Sequence, residues 1–211
     1  MGKAPGIRLL VMRSGATAWD QAGRVQGSCD LPMTPEGRDQ VSRRVQALVP
    51  TKLTTILAAP DEASRETARC MAKASSARVT VVPDLADVPL GLWEGLRLDE
   101  LEERYCRAGR LWLEDPSGVT APEGQCVADY AERVLARLQE DLAGRRSGTS
   151  VGLVVRPIAL GVIRCALNGV EMSQLWTMVH ERPDDEWYEI NSNDSRLKPR
   201  PRRTDAAASA A

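Results

Sequence analysis

A short apolar run, Ile7 to Met12, is followed at once by Arg13, Ser14, Gly15, Ala16 and Thr17. An arginine fork can hold two oxygens of one phosphate. A glycine lets backbone come close to a ligand. A cation and a glycine at the carboxyl end of a first strand point to an anion site, because open α/β sheets bind ligands there. Ser14 adds a hydroxyl, which needs a general base before it attacks anything. The chain has one histidine, His180, so a mechanism that needs two is excluded. A triad of Ser14 and His180 with a carboxylate is conceivable, but no spacing supports it. The five cysteines are widely separated and include no Cys-x-x-Cys, which argues against a zinc ribbon and for reduced thiols of a cytoplasmic protein. No metal or cofactor is expected.

The elements that must position these groups are legible from periodicity. Ile7–Met12 reads as a buried strand. Pro35 to Leu48 reads as a helix, with Thr34 as N-cap, Pro35 in the first turn and Val41, Val45 and Leu48 on one face. Strands are expected at Leu53–Ala58, Val79–Val82 and Ser150–Val155. Helices are expected at Ala63–Ala74, Asp99–Leu113, Val127–Leu142 and from Ala159 to Leu167. Alternating strands and helices argue a mainly parallel sheet covered on both faces. The stretch from Asp99 to Leu142 is long for a simple crossover. It is expected to cap the end of the first strand, with Trp112 and Tyr130 in a small secondary core.

The 211 residues and 43% hydrophobic content suffice for one sizeable domain. A net charge of -1 gives no global pull toward nucleic acid or a membrane. No apolar run approaches the roughly 18 residues of a membrane helix, and the start shows no signal-peptide pattern. From about Asn193 the apolar pattern stops. Arg196, Lys198, Arg200, Arg202 and Arg203 face only Asp194 and Asp205 in this segment. Residues 1–192 are therefore expected as the domain and 193–211 as a disordered tail. The sharper alternative is a basic tether to an acidic partner or nucleic acid.

Arg13, Gly15, Thr17, Trp19, Gly23, Arg24, Gln26, Gly27, Leu31, Thr34, Gly37 and Gln40 fall in order on one known pattern. With them the chain resembles the histidine phosphatase superfamily, also called phosphoglycerate-mutase-like, from Ile7 to about Leu167. The resemblance implies a three-layer α/β/α fold with a mainly parallel central sheet. In that family a histidine carries the phosphoryl group covalently. Two arginines and a second histidine hold its oxygens, and a carboxylate protonates the leaving group. The resemblance places Arg13 as the first arginine but Ser14 at the nucleophile. Ala63 stands at the second arginine, within Ala59 to Ala68. Arg65 lies two positions on, about 200° round a helix, and cannot replace it. Asp87 takes the carboxylate position, within Leu85 to Gly95. The second histidine's place falls on Pro157, counting from the strand, or on Ala159, counting back from Arg164. Arg156 beside them could return one positive charge.

The resemblance thus leaves Arg13, Gly15, Thr17, Gln26, Asp87 and Arg156 as ligand-binding candidates. Ser14, Ala63, Asp87, Pro157 and Ala159 are altered catalytic positions. The first reading is a phosphatase-like domain without phosphoryl transfer, used for binding a small phosphorylated ligand weakly or for scaffolding a protein partner. The second is an active phosphatase or phosphomutase with rearranged residues. A third is a different hydrolase built on Ser14 or a cysteine. Arg13 is expected to pair with Asp87, Glu94 or backbone carbonyls, with poor phosphate affinity.

Overall fold

The structure, a computed structural model, describes residues 6–48, 52–191 and 194–197. Its strands are β1 (Ile7–Arg13), β2 (Thr55–Ala58), β3 (Arg78–Val81), β4 (Ser150–Val155) and β5 (Asp185–Ile190). They form one sheet in the order β3-β2-β4-β1-β5. β1, β2, β3 and β4 are mutually parallel, and β5 runs antiparallel on β1. β1 is therefore an interior strand, flanked by β4 and β5.

The alternation along β1 explains the layers. Leu9 and Val11 face one side with Leu57, Leu153 and Val155, while Leu10 and Met12 face the other with Ile56, Ala58 and Val154. Strands buried on both faces carry apolar residues at consecutive positions. Helices α2 (Pro35–Leu48) and α3 (Glu62–Ser75) cover the second face through Val41, Val45, Ala63, Ala68 and Met71. Helices α5 (Val127–Ala143), α6 (Pro157–Asn168) and α7 (Leu175–His180) cover the first. The result is the expected three-layer α/β/α fold. α6 is apolar almost all round, and every residue from Ile158 to Leu167 is buried. It lies between the sheet and its neighbouring helices, so no face needs to be polar.

The predicted helices appear with small shifts of end. Thr34 does cap α2, accepting from the Gly37 amide at 3.0 Å. The start of α6 moves back from Ala159 to Pro157, because proline suits the first turn of a helix. The segment between the third and fourth strands needs correction. Helix α4 (Leu98–Glu114) borders a cleft beside Arg13 at the end of β1, whereas α5 packs on α6 within the layer. Trp112 and Tyr130 do not form a core of their own. They join the same continuous cluster as Leu9 and Leu153, which also holds Trp93, whose ring meets Trp112 edge-on at 5.9 Å. α4 is kinked at Tyr105 and Cys106. Gly109 lets its two halves close, since a Cβ there would lie 2.9 Å from the Leu101 carbonyl oxygen.

The expected boundary at 192 also moves. Ser195–Leu197 form one helical turn, and Leu197 is buried against the first-face cluster. Arg196 is tied to Asp194 and donates to the carbonyls of Leu167 and Glu189. It is a structural cation and not part of a free tether. Residues 198–211, with the rest of the basic stretch, lie outside the described residues.

Candidate functional site

Arg13 ends β1 and Arg156 follows β4, so two adjacent parallel strands deliver two guanidiniums to the same edge of the sheet. The Ser14 amide donates to the Val155 carbonyl at 3.0 Å, which ties the two strand ends together. Arg156 is 2% exposed and Arg13 is 22% exposed. Both line a cleft of about 380 Å³, together with Asp20, Gln26, Asp87 and His180. Leu98, Leu113, Trp112 and Trp176 form its apolar wall.

Asp20 is the centre of the polar network. Arg156 Nη2 donates to its two carboxylate oxygens at 3.2 and 3.0 Å, and Arg13 Nη2 lies 3.5 Å from Oδ1. The Thr17 amide donates to Asp20 Oδ2 at 2.7 Å. The Thr17 hydroxyl lies 2.9 Å from Asp20 Oδ2 and 2.7 Å from Gln26 Oε1, and its one proton serves one of them at a time. Thr17 and Asp20 form a capping box on the four-residue helix α1 (Ala18–Gln21), which fixes the carboxylate. Burial pushes the Asp20 carboxyl up, but Arg156, the Thr17 amide and Arg13 together hold it below the usual carboxylate range. Asp20 was missed by sequence reasoning. The spacing Thr17-x-x-Asp20 was the signal available.

Ser14 is buried, and its hydroxyl accepts from Arg156 Nη1 at 3.2 Å. A guanidinium cannot take a proton, so this partner does not activate the hydroxyl. Gly15 does not face the cleft. Its amide donates to the Thr67 hydroxyl at 3.0 Å, and a Cβ would lie 2.0 Å from Met33 Sδ and 2.9 Å from Val41. The glycine thus serves close packing on α2 in place of the expected approach to a ligand. Thr17 is likewise fully buried and acts through Asp20 and Gln26. Ala63 sits in the second-face core, away from the cleft.

Asp87 is buried at the first turn of α6. It accepts from the Ala159 amide at 2.9 Å, the Ile158 amide at 3.3 Å and the Tyr130 hydroxyl at 2.9 Å. Burial pushes it up to about 6, against the pull of Arg156, Tyr130 and the two amides. Burial and the neighbouring Asp87 raise the Tyr130 hydroxyl well above its usual value. Pro157 lines the cleft, whereas Ala159 is buried and offers its amide to Asp87.

The expected pairing of Arg13 is corrected by these contacts. Its carboxylates are Asp20 and, at 3.9 Å, Asp184, which also pairs with Arg44 of α2. Asp87 is taken by α6. Glu94 accepts from the amides of Ser28 and Leu90 and pins a loop. His180 lines the cleft with its ring stacked on Trp176, centroids 5.9 Å apart. Burial and the nearby Arg13 lower its pKa. None of the five cysteines is in a disulfide. Among the described residues no group of three or more His, Cys, Asp or Glu could hold a metal, and no helix is long and apolar enough to cross a membrane.

The sequence model of the histidine phosphatase superfamily, branch 1, matches residues 9–199. The chain belongs to this superfamily. Its curated relatives include phosphoserine phosphatase 1 of Hydrogenobacter thermophilus, 28% identical over 171 residues and 81% of each chain. Another is a probable phosphoglycerate mutase GpmB of Photorhabdus laumondii, 27% identical over 157 residues, with 74% of this chain and 73% of the relative aligned. Among solved structures, Bacillus stearothermophilus YhfR superposes with a TM-score of 0.79 at 22% identity, covering 91% of this chain and all of the other. That likeness is one of fold. In this histidine phosphatase superfamily member, Arg13 and Arg156 stand at the ends of two adjacent strands. Ser14 comes directly after Arg13.

Proposed function

We propose that the cleft takes a small phosphorylated metabolite, and that phosphoryl chemistry there runs on rearranged residues without a phosphohistidine. The carrying observation is the convergence of Arg13 and Arg156, from adjacent strand ends, on one cleft. Two guanidiniums suit the oxygens of a phosphoryl group, where charge builds during transfer. The names of the curated relatives, a phosphoserine phosphatase and a probable phosphoglycerate mutase, support a small phosphorylated ligand. They also favour an active phosphatase or phosphomutase over the inactive reading that the sequence suggested first. Asp87, pushed up to about 6, suits the donation of a proton to a leaving oxygen. Water is the nucleophile in this reading: its oxygen bonds to phosphorus as the ester P–O bond breaks, the leaving oxygen takes the Asp87 proton, and the proton lost by the water passes to the released phosphate.

Binding without turnover is the second reading, and one observation favours it. The Asp20 carboxylate already engages both guanidiniums. The deciding experiment incubates the protein with p-nitrophenyl phosphate, phosphoserine and 3-phosphoglycerate from pH 5 to 8, alongside calorimetric titration. Turnover that declines above about pH 6 and falls about a hundredfold in Asp87→Asn supports the enzyme. Saturable binding with no turnover supports the second reading. Neither binding nor turnover would remove the phosphorylated ligand from both.

A further inference from the structure

Arg156 Nη2 and Arg13 Nη2, two donors that would meet a phosphate, already face one carboxylate. Asp20 Oδ2 takes the Thr17 amide and Arg156 Nη2, and Oδ1 takes Arg156 Nη2 and faces Arg13 Nη2. The carboxylate therefore presents both oxygens to Arg156 and one of them to Arg13, in the place a phosphate would take. It is held there by the capping box and not by chance, since Thr17 is fully buried and fixed in turn by Gln26. The same arginines hold the carboxyl below its usual range, so it stays ionised through neutral pH.

We propose that Asp20 is an internal competitor for the anion site, occupying the Arg13 and Arg156 donors that a phosphate ester needs and setting the cleft's affinity for it. This rests on the reading that the cleft takes a phosphorylated ligand. A dianionic ester arriving at this point meets a fixed negative charge at contact distance of its own position. It must share or displace that carboxylate. Removing the charge while keeping an acceptor for Arg156 should turn a weak anion site into a strong one.

The test is Asp20→Asn, with Asp20→Ser as a second neutral variant and Asp20→Glu as the variant that keeps the charge. Inorganic phosphate and phosphoserine are titrated calorimetrically into the full chain at neutral pH and low salt. Melting with and without phosphate gives a second readout. Expected is binding tighter by about tenfold or more in both neutral variants, with a larger phosphate-induced rise in melting temperature. Asp20→Glu should stay near wild type. If Asp20→Asn does not fold, Asp20→Ser carries the comparison. An equal gain in Asp20→Glu would overturn the role assigned to the charge. Tight binding by wild type with no gain in the neutral variants would overturn the competitor while leaving the phosphorylated ligand in place. No binding by wild type or either neutral variant would remove both.

Discussion

Arg13 and Arg156 carry the same charge in the same cleft, yet their surroundings assign them different work. Arg156 is almost fully buried, paired with Asp20 and bonded to Ser14 and Gln26. Removing one partner of a buried pair leaves an uncompensated charge, so Arg156→Ala should cost about 3–5 kcal/mol of stability. Arg13 is partly exposed and its carboxylate contacts are long, at 3.5 and 3.9 Å. Arg13→Ala should cost less than about 1 kcal/mol. Chemical denaturation of the two variants checks the order, and equal losses would refute it. Asp87 supplies the pH dependence. Its folded pKa is raised, so the fold gains most from it at low pH, and that gain is lost as pH rises from the ordinary aspartate value through about 6. The loss amounts to about 3 kcal/mol. Asp87→Asn should therefore gain on wild type by that order between pH 4 and pH 7. Parallel stability profiles of the two proteins would contradict the assignment.

At the scale of elements, the site depends on how the turn after β1 is held. Gly37, in the first turn of α2, lies against that turn. A Cβ there would sit 2.4 Å from the Ala16 carbonyl oxygen and 2.9 Å from the Ala16 nitrogen, both backbone atoms that cannot rotate away. Gly37→Ala should displace the peptide leading to Thr17 and cost about 1–3 kcal/mol. Because Thr17 positions Asp20, the same variant should also alter anion binding. Melting and phosphate titration read both effects, and unchanged values in both would exclude this route. The glycine was visible in the sequence as part of a pattern. Its contact with Ala16 was not, since the two residues belong to different elements.

Over the whole molecule, the sheet is covered on both faces and the chain's last described turn completes one of them. Leu197 is 1% exposed within the cluster that holds β1, α5 and α6. Leu197→Ala should cost about 2–4 kcal/mol, the range for a buried leucine that leaves a cavity. A loss below about 0.5 kcal/mol, as at exposed positions, would show that the turn is not part of the core. Polar composition after Asn193 concealed this turn, because one leucine among charged residues gives no periodic signal.

Much of the fold was readable from the residues in order, because strand and helix periodicities are local. Ile7–Met12, Pro35–Leu48 and Ser150–Val155 carry their own patterns, and their alternation implies a parallel sheet in layers. The presence of Arg13 at a strand end, Ser14 after it and a single histidine was likewise a property of the sequence alone. The partners of those groups were decided only by the tertiary structure. Asp87, Glu94 or backbone carbonyls were expected to partner Arg13, but Asp87 sits on the amides of α6 while Asp20 takes the arginines. Gly15 was expected at a ligand and instead packs on Met33. A side chain's charge is written in the chain, but its counter-charge and its burial come from elements joined across the fold. Those two quantities set both its pKa and what it can bind.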